Sequence, residues 1–372
     1  MAFLNYNGRF CEQDFENAII QMFVDAGWSY TFGDNIPRNS GMDVLILDDI
    51  RSFISGEYPF LQPDEVEDIV NKIRLAGAEG EFATLHHIYT MLVDGTQYTT
   101  HDGTPHMIHF IDFDHVEHNS FRVVNQFTVD YYNNSQRKNR RPDVLLYVNG
   151  IPLCVIELKN PGKVDATIYD AYEQITIRYW RDIPHLLHYC PLAAISDGVK
   201  TRLGTVVTPY EHFYAWRRVE NGDKVSTGGF AEAETMIKGV FAPARFLEIF
   251  RDYVYFQDRQ YDHDEREVVC RYPQFFAARL LRDSVLRSVA EHSGKGGTYF
   301  GATGCGKTFA MAFLARQLSL RCANKLGTPT IVMIVDRDDL QKQGVKLFTK
   351  SEDFLSLGEV VKIPTRAKLR PT

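Results

Sequence analysis

The chain has 372 residues, 44% of them apolar and 24% charged, with a net charge of −7; this suffices for two or three packed domains and excludes a disordered chain. No apolar run approaches the length of a bilayer span, and MAFLNYNGRFCEQ lacks the basic start and apolar core of a signal peptide, so a soluble cytoplasmic protein without a membrane partner is expected. Six cysteines lie scattered without CxxC spacing, which argues against a disulfide framework and a zinc site; Cys154 falls within an apolar run, as a buried thiol would.

In chain order, residues 12 to 28 read as an amphipathic helix: Phe15, Ala18, Ile19, Met22 and Phe23 recur at helical spacing, and Gly27 stops the run. Glu12 and Glu16 sit one turn apart on a neighbouring face, within reach of a metal site, with solvated surface acids as the default reading. Residues 63 to 75 and 80 to 93 form two further helices, the first with Pro63 and acids in its opening turn. From Met107 to Val129 the pattern turns to strands, MIHFIDF and then FRVVNQFTV. The five histidines between His101 and His118 invite a metal hypothesis, but their spacing matches no usual ligand pattern on a helix or hairpin. They are read as strand and loop residues.

Arg140 to Asn160, RRPDVLLYVNGIPLCVIELKN, is the most informative stretch. Asp143 opens an apolar run, Asn149-Gly150 makes a turn, and Pro152 to Leu158 forms the return strand of a β-hairpin. Glu157 and Lys159, two residues apart, project from one strand face. A carboxylate pair beside a lysine at a strand end suits metal-assisted phosphodiester hydrolysis. The acids hold a hard divalent cation through oxygen, and the lysine orients or activates the attacking water. A plain two-residue loop would pair Asp143 with Ile156 and turn it away from Glu157. An odd-length loop, with Gly150 in a left-handed bulge, puts residues 143, 155, 157 and 159 on one face, with the Cβ atoms of Asp143 and Glu157 roughly 5–8 Å apart. The odd loop is expected. The plainer alternative is that Glu-x-Lys falls by chance in many strands and that Asp143 is a turn cap. Just before Asp143, QRKNRR supplies Arg137, Lys138, Arg140 and Arg141, a local patch that would attract a phosphate backbone; a solvated loop is the bland reading.

A helix follows from about Val164 to Arg181, carrying Gln174, Arg178 and Tyr179, then a short strand and turn, LAAISDG. Residues 220 to 230, ENGDKVSTGGF, form a Gly-rich exposed loop, and the acidic stretch near 257–268 marks a domain boundary. A helix-forming segment, FFAARLLRDSVLRSVAE, leads to Gly301-Ala-Thr-Gly-Cys-Gly306-Lys307-Thr308, which fits G-x-x-x-x-G-K-[ST]. The loop residues Gly301, Thr303, Gly304, Cys305 and Gly306 turn backbone N–H groups into one concavity for phosphate oxygens. Lys307 adds a point charge for the β/γ-phosphates of ATP, and the Thr308 hydroxyl is a ligand for Mg2+. Thr298 to Phe300 reads as a strand end and Phe309 to Leu320 as a helix whose N-terminus adds positive dipole. Thr330-IVMIV-Asp336-Arg337 reads as a buried parallel strand beside it, as in a RecA-like α/β lobe.

Taken together, RPDVLLYVNGIPLCVIELKNP, YWRDIP (179–184), ISDG (195–198), RYPQFFAA (271–278), GATGCGKT and IVDRDDLQKQ (334–343) resemble, in this order, the restriction (R, HsdR) subunit of type I restriction–modification enzymes. The resemblance runs from about residue 12 to the C-terminus. It implies an α/β architecture: a PD-(D/E)xK restriction-endonuclease-like domain over 1–256, a linker over 257–270, and a partial RecA-like P-loop helicase lobe over 271–372. It gives Asp143, Glu157 and Lys159 the nuclease roles and likens Glu16 to the family's N-terminal helix acid. Gln274 stands where such motors carry an adenine-recognising glutamine, Lys307 and Thr308 hold nucleotide and Mg2+, and Asp336-Arg337 looks like motif Ia. The family carries Gln-x-x-x-Tyr after the lysine; here Gln174 and Tyr179 are one residue further apart, on less aligned faces of an α-helix.

The resemblance implies Mg2+-dependent cleavage of double-stranded DNA, coupled to ATP-driven translocation in a complex with methyltransferase and specificity subunits. The chain stops at Thr372, soon after motif Ia, so it reads as a fragment that should not hydrolyse ATP efficiently or translocate. The alternatives are a type III or single-chain restriction or repair helicase-nuclease, and a DNA-binding or assembly module with a dead nuclease centre.

Overall fold

Between Ser29 and Thr205 the apolar runs assemble into one six-stranded mixed sheet in the computed structural model, which describes residues 12–159, 167–257, 266–334 and 352–355. The chain divides into two units, Met1–Arg251 and Asp252–Thr372. The first begins with α1 (Glu12–Asp25), β1 (Ser29–Phe32), α2 (Leu47–Glu57), α3 (Pro63–Arg74) and α4 (Glu81–Asp94). The expected first helix ends early, at Asp25, because Gly27 takes φ +102° and turns the chain into β1. A small hairpin, β2 (Thr96–Thr99) with β3 (Pro105–Ile108), precedes β4 (Phe121–Asn125). Only the first part of MIHFIDF is therefore strand.

Next come the ribbon β5 (Val129–Asn133) and β6 (Gln136–Arg140), and the central hairpin β7 (Val144–Val148) and β8 (Ile151–Leu158). A crossover carries α5 (Ile168–Glu173), a π-helical turn over Gln174–Tyr179, α6 (Trp180–Asp182) and α7 (Pro184–Leu187). It leads to β9 (Leu192–Ser196) and β10 (Thr201–Thr205), and α8 (Phe230–Val240) and α9 (Pro243–Asp252) close the unit. The sheet order is β1-β4-β7-β8-β9-β10. β1 runs parallel to β4 and β8 to β9, and the other neighbours are antiparallel. Every residue of β7 and β8 is buried, which explains why both read as continuous apolar runs rather than as alternation. α1 inserts Phe15, Ile19 and Phe23 into the core, and the Trp28 indole N–H donates to the carbonyl of Phe241 at 2.7 Å.

The central hairpin departs from expectation. Val148 pairs with Ile151, so the loop is Asn149-Gly150 alone, both with positive φ (+49° and +82°), as a type I′ turn requires. The odd residue lies one step further in: Tyr147 pairs with Pro152 but Leu146 with Cys154, leaving Leu153 as a bulge. Pro152 has no N–H for the ladder, and proline inside a sheet is tolerated at such bulges. Beyond the bulge Val144 pairs with Ile156, which sets Asp143 opposite Glu157 on one face. The loop was the wrong place for the extra residue, but the facing is the one it was invoked to give.

The second unit contains β11 (Val254–Gln257), β12 (Arg266–Val269), α10 (Tyr272–Ala290), α11 (Lys307–Arg316) and α12 (Ala323–Leu326). The two strands pair antiparallel on either side of the acidic stretch read as a boundary, of which 258–265 lie outside the described residues. Tyr253 packs its ring against Phe275 and Phe313, with Phe354 over Phe313. The strands expected at 298–300 and from Thr330 are absent among the described residues, and Phe300 and Ile334 stand almost fully exposed. A strand needs a neighbour to complete its ladder, and the paired strands described in this unit are β11 and β12 alone. No helix among the described residues is long and apolar enough to cross a membrane.

Candidate functional site

Asp143 and Glu157 meet at the end of the central hairpin away from its turn. Asp143 is half-buried, and its Oδ2 accepts the N–H of Leu158 at 2.7 Å, which fixes the carboxyl across the strand pair. Glu157 is 1% exposed. Burial, and then the charge of Glu157, push the Asp143 carboxyl up to about 9. Burial likewise raises Glu157, against the pull of Lys159. Two carboxyls so placed favour holding a proton between them.

Lys159 completes a closed ring of hydrogen bonds. Its Nζ donates to Glu157 Oε1 and to Gln174 Oε1, each at 3.0 Å. Gln174 Nε2 donates to the Tyr179 hydroxyl at 2.9 Å, and Tyr179 donates in turn to Glu157 Oε2 at 2.9 Å. The spacing that looked one residue too long is absorbed by the π turn over Gln174–Tyr179. Its i→i+5 winding returns residue i+5, rather than i+4, to the face of residue i. All four side chains therefore belong to one site.

Glu16 joins from α1. It is 3% exposed and accepts Asn125 Nδ2 at 2.6 Å and Gln126 Nε2 at 2.7 Å. Burial raises its pKa, and the charge of Asp143 adds to the rise, which places it in the electrostatic reach of the acid pair. The side chain of Glu12 lies outside the described residues. Two buried acids and one half-buried acid against one lysine ammonium form an all-oxygen donor set short of positive charge. Such a set fits a hard divalent cation in place of the shared proton.

The basic run, for which a solvated loop is the bland reading, forms strand β6. Arg137 Nε donates to Asp130 Oδ2 at 2.8 Å and Arg140 Nε to Asp182 Oδ2 at 2.7 Å, while Lys138 is exposed. Hydrogen bonds from Arg181, then from Arg140, hold the Asp182 carboxyl down at about 2. Arg141 Nε donates to the carbonyl of Gln126, the neighbour of Asn125 beside Glu16.

In the second unit the glycine loop precedes α11, and Gly304 and Gly306 take φ of +78° and +79°. Lys307 Nζ folds back onto the carbonyls of Gly301 and Ala302, at 2.8 and 2.9 Å. Thr308 lies in the first turn of α11, Thr303 is exposed, and Cys305 Sγ approaches the Tyr299 hydroxyl. Gln274 is buried against this loop: its Nε2 donates to the carbonyl of Gly306 at 3.0 Å while its Oε1 accepts the N–H of Arg271 at 2.8 Å. A Cβ on Gly306 would collide with that nitrogen. Asp336 and Arg337 lie outside the described residues.

Sequence reasoning set the histidines aside; His115 lies in a loop and His118 ends the short 3-10 turn Val116–His118. Yet both imidazoles converge on Asp112. The signal was Asp-x-x-His-x-x-His, a period of three.

The chain matches the family model described as type I restriction enzyme R protein N terminus over residues 9–212, and that described as SWI2/SNF2 ATPase over 273–371. It is similar to the type I restriction enzyme HindI endonuclease subunit of Haemophilus influenzae, 27% identical over 92% of this chain and 33% of that protein. It is also similar to a putative type I restriction enzyme MjaIXP endonuclease subunit of Methanocaldococcus jannaschii, 26% identical over 93% of this chain and 35% of that protein. A type I restriction enzyme SsaAORF53P endonuclease subunit of Staphylococcus saprophyticus is 28% identical over 70% of this chain and 25% of its own length. The chain thus spans about a third or less of these curated relatives.

Proposed function

Because the chain belongs to the family of type I restriction enzyme R protein N termini, we propose that its first unit is a PD-(D/E)xK nuclease domain that cleaves double-stranded DNA with Mg2+. The observation that carries this reading is the bulge at Leu153, which sets Asp143 opposite Glu157 while Lys159 is held on the same carboxylate. Asp143 and Glu157 would hold the cation, with Glu16 beside them. When bound, it would neutralise charge on the scissile phosphate and ease deprotonation of water. Lys159, fixed between Glu157 and Gln174, presents its remaining donor capacity to the attacking water or phosphate oxygen. Tyr179 and Gln174 position that lysine and keep Glu157 from turning away.

On the same reading, the second unit is the ATP-binding part of a RecA-like lobe, with Lys307 on the phosphates, Thr308 on their Mg2+ and Gln274 behind the loop. In the whole protein this would couple cleavage to DNA translocation, in a cytoplasmic complex with methyltransferase and specificity subunits. Contacts to the phosphate backbone suit cleavage without sequence preference at the cutting site.

Mn2+ binding followed by calorimetry tests the centre. Asp143→Ala and Glu157→Ala should each weaken it by more than about tenfold. Lys159→Ala should abolish DNA cleavage while leaving Mn2+ affinity within about twofold, since an ammonium is not a ligand. Unchanged Mn2+ affinity in both acid variants would remove the nuclease assignment.

A further inference from the structure

The segment Asp112 to Asn119 is wound so that two imidazoles face the same way. Val116–His118 is a 3-10 turn with His115 at its N-cap, and in such a turn side chains three apart eclipse. The rings of His115 and His118 accordingly stack, with centroids 4.9 Å apart and planes inclined by 23°. Their Nδ1 atoms point at one carboxylate oxygen, Asp112 Oδ2, at 3.1 and 2.9 Å. A second carboxylate arrives from the end of α2, where Glu57 Oε2 lies 3.4 Å from His118 Nδ1.

Hydrogen bonds hold these groups in place. The other oxygen of Asp112 accepts the N–H groups of Asp114 and His115, both at 2.9 Å. Asn119 is nearly buried and clamps the loop, donating to the carbonyl of Asp112 at 2.7 Å and accepting its N–H at 3.0 Å. The same Asn119 Oδ1 accepts Asn149 Nδ2 at 2.8 Å, which joins the loop to the turn of the central hairpin.

We propose that Asp112, His115 and His118, whose ligand atoms all lie within 4.8 Å of one another, form a structural site for a divalent transition-metal ion of the Zn2+ class. Metal–ligand bonds of about 2.0–2.2 Å in a tetrahedron set neighbouring ligand atoms about 3.3–3.6 Å apart. Asp112 Oδ2 lies 3.1 and 2.9 Å from the two Nδ1 atoms, already near that spacing. Imidazole nitrogen selects Zn2+, Co2+ or Ni2+ over Mg2+, which separates this site chemically from the all-oxygen set at Asp143 and Glu157. It is also separate in place. Asp143 lies six residues before Asn149, at the other end of β7, about 20 Å away by strand rise. The ion would fix the β3–β4 connection and, through Asn119, brace the hairpin turn. It takes no part in cleavage.

The full chain, stripped with chelator, is titrated with Co2+ alone. One equivalent should give the intense visible bands of tetrahedral, nitrogen-containing ligation. His115→Ala and His118→Ala should each weaken Co2+ binding by more than about tenfold. The double variant Asp143→Ala/Glu157→Ala should keep it, whatever becomes of the nuclease reading. Zn2+ should raise the Tm of the parent chain and not that of His118→Ala; a matching metal-free far-UV spectrum shows that this variant has folded. Absence of the bands, or bands that survive both histidine substitutions, would leave a hydrogen-bonded cluster only and overturn the proposal.

Discussion

Asp143 is the residue whose surroundings favour a proton when the acid pair is alone and, on the proposed nuclease reading, would favour a cation when one is supplied. Its pKa rises from 3.8 to about 9 through burial and the neighbouring Glu157. A carboxyl raised in the folded state keeps a proton that the unfolded chain has released. Stability is therefore fully present below the unfolded value and falls as pH climbs through the window from 3.8 to about 9. Thermal unfolding from pH 5 to pH 9 without divalent ions should show this decline, and Asp143→Asn should flatten it. Saturating Mg2+ should flatten it too, because metal binding displaces the proton. An identical slope in Asp143→Asn would show that the carboxyl is ionised throughout. The residues of this centre were legible one by one: acids and a lysine at a strand end announce cation chemistry. Their contacts were not, because Gln174 and Tyr179 meet through winding that no α-helical spacing predicts.

At the scale of elements, two single-residue irregularities build the site. The bulge at Leu153 was invisible because β8 is buried on both faces, so its apolar run carries no alternation from which register can be read. The Asn149-Gly150 turn was plain from its residues, and a two-residue loop is what those residues prefer. The π turn acts as a one-residue insertion between Gln174 and Tyr179. Deleting exposed Ile177 should let the segment close as an α-helix with the two side chains still adjacent, keeping Mn2+ affinity within about threefold. Tyr179→Phe, by contrast, removes a donor from buried Glu157 and should cost about 1–3 kcal/mol in denaturant unfolding. If the deletion proves as harmful as an alanine at Gln174, the winding has a role beyond alignment. The ribbon β5–β6 was legible only as charge. Replacing Arg137, Lys138 and Arg140 by alanine should weaken duplex DNA binding and reduce its salt slope by about 1 to 3. An unchanged slope would make the ribbon a bystander.

Across the molecule, the α/β character and the glycine loop were readable, whereas the strands expected around that loop are absent among the described residues. Apolar runs such as Thr330–Ile334 announce burial, but what buries them is a matter of neighbours that local sequence does not encode. Lys307 now rests on its own loop carbonyls, so a nucleotide must win it from them. Lys307→Ala should lose binding of a fluorescent ATP analogue while the unfolding midpoint stays within about 1 °C, since the side chain is exposed. Equal affinity would contradict the phosphate role. The hairpin turn also bears on how the chain ages. Asn-Gly is the dipeptide most prone to deamidation, yet Asn149 is 1% exposed, and its amide donates to the carbonyl of Phe110 and to Asn119 Oδ1. Folded, it is shielded from that chemistry; unfolded, it is not. Each excursion out of the native state therefore risks deamidation of Asn149 to aspartate or isoaspartate, whose carboxylate would confront two oxygens where an amide once donated, so that a chain so marked would close the same turn less readily.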